Sequence, residues 1–139
     1  MNNKTDKKRP GLKKILFYVM LVAFITGVIG AAALFHSIYS DVKKVTQAAR
    51  SKFPDDSVQA LIACLRSDDV SFQDKNEAVW ALGQIGDNRA LQPLKNLYTG
   101  VECEKPCSKK NKICQYELEK AVKFCGGKFS ATKWMYSRL

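Results

Sequence analysis

Residues 77–97 read EAVWALGQIGDNRALQPLKNL. Ala78, Val79, Ala81, Leu82 and Ile85 share one face at a helical period, so the first half predicts an amphipathic helix. Gly86–Asp87–Asn88 then supplies a stop followed by a start: glycine ends one helix and aspartate caps the next. Ala90, Leu91, Leu94 and Leu97 resume the helical spacing, and Gly100 closes it. This stretch is a helix, a tight corner and a second helix, and it fixes the fold class as all-α.

Upstream, Asp55, Asp56 and Ser57 carry N-cap chemistry. Val58, Leu61, Ile62 and Leu65 follow as a helical stripe, broken by Ser67, Asp68 and Asp69. Downstream, the pattern recurs in weaker form. Glu77–Ala78–Val79 is matched by Lys120–Ala121–Val122, and Leu82–Gly83 by Cys125–Gly126. Leu61 corresponds to Leu94. The offsets are 43 and 33 residues, and their difference, 43 − 33 = 10, falls on an insertion at 101–112. The expected helices are 57–66, 74–86, 89–99 and 112–125, paired as two hairpins. Leu61, Leu65, Ala78, Ala81, Leu82, Ile85, Leu94 and Leu97 are the expected core.

The residues Ala78, Ala81, Leu82, Gly83, Ile85, Gly86, Asp87, Arg89, Ala90, Leu94 and Leu97 resemble a HEAT repeat, of the short bacterial type also found in phycobilisome-lyase-like proteins. The resemblance covers roughly residues 55–126. It implies a small α-solenoid of about two helical hairpins, and such folds present a curved surface to protein partners. Some relatives are enzymes: pigment lyases, and a hydroxylase that binds iron through His–Glu pairs. This chain has one histidine, His36, outside the repeat region. The iron-hydroxylase reading therefore fails on ligand count, and no residue favours the pigment reading.

Further out, Ile15 to Phe35 form an uncharged run of 21 residues. About 20 apolar residues span the hydrocarbon core of a bilayer. The expectation is one transmembrane helix at 15–35, after a basic stub at 1–14. The run exceeds the usual apolar core of a signal peptide, so an uncleaved anchor is favoured over a secreted, processed domain. The stub carries six Lys/Arg against one Asp, but only Lys43 and Lys44 lie within ten residues after the run. The positive-inside rule places the N-terminus in the cytoplasm and the C-terminal domain outside or in the periplasm, across a cell (inner) membrane. Ala23, Gly27, Gly30 and Ala31 line one face of the span. Small residues at that spacing suit contact with another membrane helix, although they are also common there by chance.

Ile38, Val42, Val45, Ala49 and Phe53 continue as one apolar stripe on an amphipathic helix at 36–53, ended by Pro54. No Gly or Pro interrupts Ala31 to Phe53, so the span is expected to run on into this segment and cap the repeats. The tail, 127–139, is the expected second cap through Phe129, Trp134, Met135 and Tyr136, with a partner protein as the alternative.

The net charge is +10, concentrated at the ends: residues 53–100 carry four basic against seven acidic side chains. Ten Lys/Arg flank the apolar run, where orientation and headgroup contact explain them. A nucleic-acid partner is not expected, and no such motif is present.

Cys103, Cys107, Cys114 and Cys125 cluster within 23 residues, while Cys64 lies on the apolar side of the first repeat helix. An oxidising compartment favours disulfides. Cys114 and Cys125 stand about 16 Å apart along one helix, beyond the roughly 7 Å a disulfide allows. Cys114 should therefore pair with Cys103 or Cys107; Cys125 reaches the remaining cysteine only if the insertion folds back along the helix, and otherwise packs as a core thiol. Zinc and a redox dithiol fit the spacing less well. No nucleophile–base pair, phosphate loop or paired-acid motif stands out. The expectation is a non-enzymatic, single-pass, membrane-anchored protein-binding module without a cofactor, metal or small-molecule substrate. Its partners would be the lipid bilayer and other membrane protein subunits. A thiol or pigment-attachment enzyme is the alternative from another class.

Overall fold

The computed structural model describes residues 11–101, 111–130 and 132–136. Among the described residues there are five α-helices: α1 Leu12–Lys52, α2 Ser57–Arg66, α3 Phe72–Ile85, α4 Leu91–Leu97 and α5 Gln115–Cys125. Short 3-10 turns cover Asn88–Ala90 and Lys133–Tyr136, and no strand occurs among the described residues. The chain divides into two units after Ser37.

The first unit contains α1 up to Ser37. Its apolar side chains are exposed around the whole helix; Phe24 is 71% and Leu34 68% accessible. By length and composition this stretch can cross a membrane. A secretion signal passes the same test. Thr26 returns its hydroxyl to the carbonyls of Ala23 and Val22, 2.9 and 3.0 Å away, so the one side-chain donor of this turn is satisfied within the helix.

The second unit begins at Ile38. The helix continues unbroken through this point, as expected from the absence of Gly and Pro. Its exposure pattern now has one buried stripe, Val42, Thr46 and Ala49, with Ile38, Val45 and Phe53 partly buried against the same core. The segment therefore packs on the helical domain. It ends at Lys52, two residues before Pro54.

Local chemistry sets the following boundaries. Asp56 caps α2 by accepting from the Val58 and Gln59 amides at 2.9 and 3.2 Å. Ser71 caps α3 through the Asp74 amide at 3.1 Å, so α3 starts at Phe72, earlier than expected. Gly86 ends α3 with φ of 64°, the left-handed conformation glycine adopts at least cost. Asp87 caps the next turn.

Helix α3 packs against α2 on one flank and α5 on the other, and α4 packs against α5. At the α3–α5 crossing a Cβ on Gly83 would lie 3.1 Å from Ala121 Cα. The missing side chain is what lets the two backbones come together. Leu61, Leu65, Ala78, Ala81, Leu82, Ile85 and Leu94 are buried, whereas Leu97 is only partly so. The structure adds Val70, Leu118, Ala121 and Tyr136 to this core.

Candidate functional site

A groove of about 440 Å³ runs over the α3–α5 packing line. Trp80 and Gln84 of α3 line one wall, and Glu117, Lys120 and Phe124 of α5 line the other, with Gly83 and Ala121 in its floor. The floor is flat because Gly83 carries no side chain and Ala121 a single methyl. Helical spacing accounts for the walls: Trp80 and Gln84 are four apart, as are Lys120 and Phe124. The Lys120 ammonium sits 4.0 Å over the Tyr116 ring and 3.9 Å from the Glu117 carboxylate. The Tyr116 contact, more than Glu117, holds its pKa above the ordinary lysine value. The groove thus offers two aromatic surfaces, Trp80 and Phe124, beside one acid and one base.

A second cleft, about 540 Å³, opens between the start of α2, the corner after α3 and the tail. Arg89 organises it. Its guanidinium donates to Asp56 at 2.8 Å and to Asp87 at 3.0 Å. Hydrogen bonds from Arg89 hold the Asp87 carboxyl below its usual range. Burial pushes Asp56 up, but the Gln59 amide, Arg89 and the Val58 amide together bring it down. Arg89 is raised in turn by the two aspartates. Lys133, Trp134 and Tyr136 form the opposite side.

Tyr136 is buried, stacks on Tyr39 at 5.8 Å and 13°, and has a hydroxyl without a hydrogen-bond partner among the described residues. Burial pushes its pKa up to about 12. The tail that carries it is pinned by Thr132, whose hydroxyl lies 3.2 Å from the Gln84 carbonyl oxygen and 2.9 Å from its side-chain oxygen.

Of the cysteines, Cys64, Cys114 and Cys125 are free, buried thiols, and Cys103 and Cys107 lie outside the described residues. The Cys125 thiol points at the Leu82 carbonyl, 3.5 Å away, and burial pushes its pKa up to about 12. Burial also raises that of Cys64. A buried, protonated thiol is a poor nucleophile. Among the described residues, no three His, Cys, Asp or Glu side chains converge to hold a metal.

One structural centre has no counterpart in the sequence reading. Asn76, buried on α3, donates to Phe72 O at 2.7 Å and to Lys112 O at 2.9 Å, and accepts from the Cys114 amide at 2.7 Å. It clamps the returning end of the insertion and makes Cys114 the residue before α5, so α5 starts at Gln115 and not at 112. The available signal was an asparagine two positions before Ala78, on the apolar side of a helix. Ala23, Gly27, Gly30 and Ala31, the expected helix-packing face, are all exposed on α1, and space is open around both glycines.

Residues 75–99 match the family model of the PBS lyase HEAT-like repeat. Searches of curated proteins and of solved structures found no match to this chain. The matched segment spans most of α3, the Gly86–Asp87 corner and α4.

Proposed function

We propose that this chain is a single-pass membrane protein whose C-terminal domain, a small α-solenoid, binds another protein, as an accessory or scaffolding subunit of a membrane complex. The observation that carries this reading is the α3–α5 groove with Trp80 and Phe124 in its walls, built partly from a segment of HEAT-like type. Repeats of this kind bind partners along their helices. The apolar run of α1 is long enough to anchor the chain. The Lys/Arg bias around it favours a cytoplasmic N-terminus and an extracytoplasmic domain. In that compartment Cys114 would join Cys103 or Cys107 in a disulfide. The reading is non-enzymatic: the described thiols are buried, and two of them carry raised pKa values.

Site-specific photo-crosslinking in native membranes tests the binding surface. A probe at Trp80 or Phe124 should yield one discrete adduct, and a probe at Arg66 should not. Equal adducts at all three positions would count against the groove. Alkaline extraction and N-terminal sequencing test the anchor: a processed N-terminus on a soluble protein favours the secreted binding domain instead. Five reactive thiols after denaturation without reductant would end the disulfide claim.

A further inference from the structure

The tail after α5 has both buried and exposed side chains. Thr132 and Tyr136 are buried and Met135 packs on the core. Lys128, Phe129, Lys133 and Trp134 are exposed, the last two at the edge of the cleft that also holds Asp56 and Asp87. Phe129 is 89% and Trp134 74% accessible, the highest values for large apolar side chains among the described residues of the second unit, so these two do not cap the repeats as expected. This exposure is built in. The tail is fixed by Thr132 on Gln84 and by Tyr136 on Tyr39, so neither aromatic can fold under without breaking those contacts. Each exposed aromatic follows a lysine directly, as Lys128–Phe129 and Lys133–Trp134.

We infer that the exposed part of the tail seats in the headgroup region of a bilayer that carries anionic lipid. The inference rests on the membrane-anchored reading of the chain. Trp prefers the interface between water and hydrocarbon, where its ring is buried and its N–H stays wet. Lysines beside it meet the negative surface potential of anionic lipid. Charge complementarity supports this occupant: Lys128 and Lys133 are exposed directly beside the two aromatics. Connectivity adds to it: only His36 and Ser37 separate the apolar run from Ile38, where the domain begins. A tethered domain samples the bilayer surface at high effective concentration, so two aromatics and two lysines suffice.

The test uses the full-length chain reconstituted into vesicles of phosphatidylcholine, with and without phosphatidylglycerol. Headgroup-proximal brominated lipid reads out tryptophan depth. Trp134 is separated from Trp80 by subtracting the signal of a Trp134→Phe variant. The inference expects Trp134 to be quenched and blue-shifted in anionic vesicles, and both effects to weaken in neutral ones and at high salt. Lys128→Gln with Lys133→Gln should lower the ratio of seated to free tail on the order of thirtyfold. Insertion is read separately, by flotation after an alkaline wash. A chain that stays in the vesicles while Trp134 is unquenched overturns the inference and leaves the anchor intact. A chain that washes off with Trp134 unquenched overturns both. Quenching equal in neutral and anionic vesicles also overturns the inference, since the lysines would then have no part in it.

Discussion

Leu82–Gly83 and Cys125–Gly126 match in the sequence pattern, and in the structure they do different jobs. Gly83 sits inside α3, buried, with Ala121 against its backbone. Gly126 lies past the end of α5, exposed, and its amide closes the helix on Val122 O at 2.9 Å. The pairs differ in the same sense throughout. The first, α2 with α3, is locally specified: Asp56 and Ser71 cap its helices, and Gly86 stops the second. In the second pair α4 ends on an extended Tyr98, and α5 starts after Cys114, which gives it no side-chain cap. Asn76, from the first pair, supplies what is missing by holding the Cys114 amide. The first pair carries its own start and stop signals, and the second is finished by contacts from the first.

The largest expected effect tests whether the pairs share one core. Leu82 and Leu118, one from each pair, are fully buried. Replacing either by alanine should cost about 2–5 kcal/mol. Urea unfolding followed by circular dichroism should give one transition for both variants, shifted to a similar extent. Two transitions, with only one moved, would mean that the pairs unfold separately.

Next comes the contrast between the two glycines. Gly83→Val places branched carbons where Ala121 Cα and Cβ already stand, 3.1 and 3.2 Å from an added Cβ. Overpacking of this kind costs about 1–3 kcal/mol. Gly126→Ala meets the Val122 carbonyl at 3.0 Å, but at a helix end. Its cost should be smaller, about 1 kcal/mol, because helix ends fray and can adjust. Equal losses in thermal midpoint would contradict the assignment of Gly83 to a close crossing.

What could be read in advance divides along the same line. The periodic stripes of α2 and α3, the Gly86–Asp87 corner and the continuation of α1 past Ala31 are local features, so they were legible. The start of α5 was not, because it depends on a hydrogen bond from Asn76, 38 residues earlier. Leu97 follows the helical period and was expected in the core, yet α4 ends there and leaves it half-covered. Thr46 was passed over as polar, although it lies on the buried stripe beside Val42 and Ala49. In the groove, Lys120 and Phe124 were unreadable as partners of Trp80, since the pairing depends on how α3 meets α5. The repeat match at 75–99 shares this limit: it covers the locally specified corner and not α5.

Asn76→Ala breaks the dependence of the second pair on the first. It leaves the buried Cys114 amide without its acceptor, which costs about 1–3 kcal/mol. The loss should be directional. Trypsin cleavage after Lys112 should accelerate, because the chain there is no longer held at 2.9 Å by the Asn76 amide. Cleavage after Arg66, at the end of the self-capped α2, should change little under native conditions. If both sites open together, the clamp is only one contact of a single cooperative core.

The smallest expected effect concerns the Arg89 bridge between the start of α2 and the corner before α4. Asp56→Ala removes a helix cap and should cost about 1 kcal/mol at neutral pH. The bridge itself adds little, since Arg89 and Asp56 are both about half exposed and surface pairs are weak. Its signature is pH dependence. Asp56 and Asp87 have folded pKa values below the ordinary 3.8. Their contribution is thus fully present above that value and is lost as pH falls through the depressed folded values. Between pH 7 and about 4 the two carboxylates should leave the urea midpoint unchanged, and below that it should drop. Asp87→Asn should flatten this acid limb more than Asp56→Asn. Arg89 hydrogen bonds are the leading cause at Asp87, whereas at Asp56 burial works against the backbone amides and Arg89. An acid limb unchanged in both variants would place the bridge outside the energetics of the fold, and the corner would then rest on Gly86 and the Asp87 cap alone.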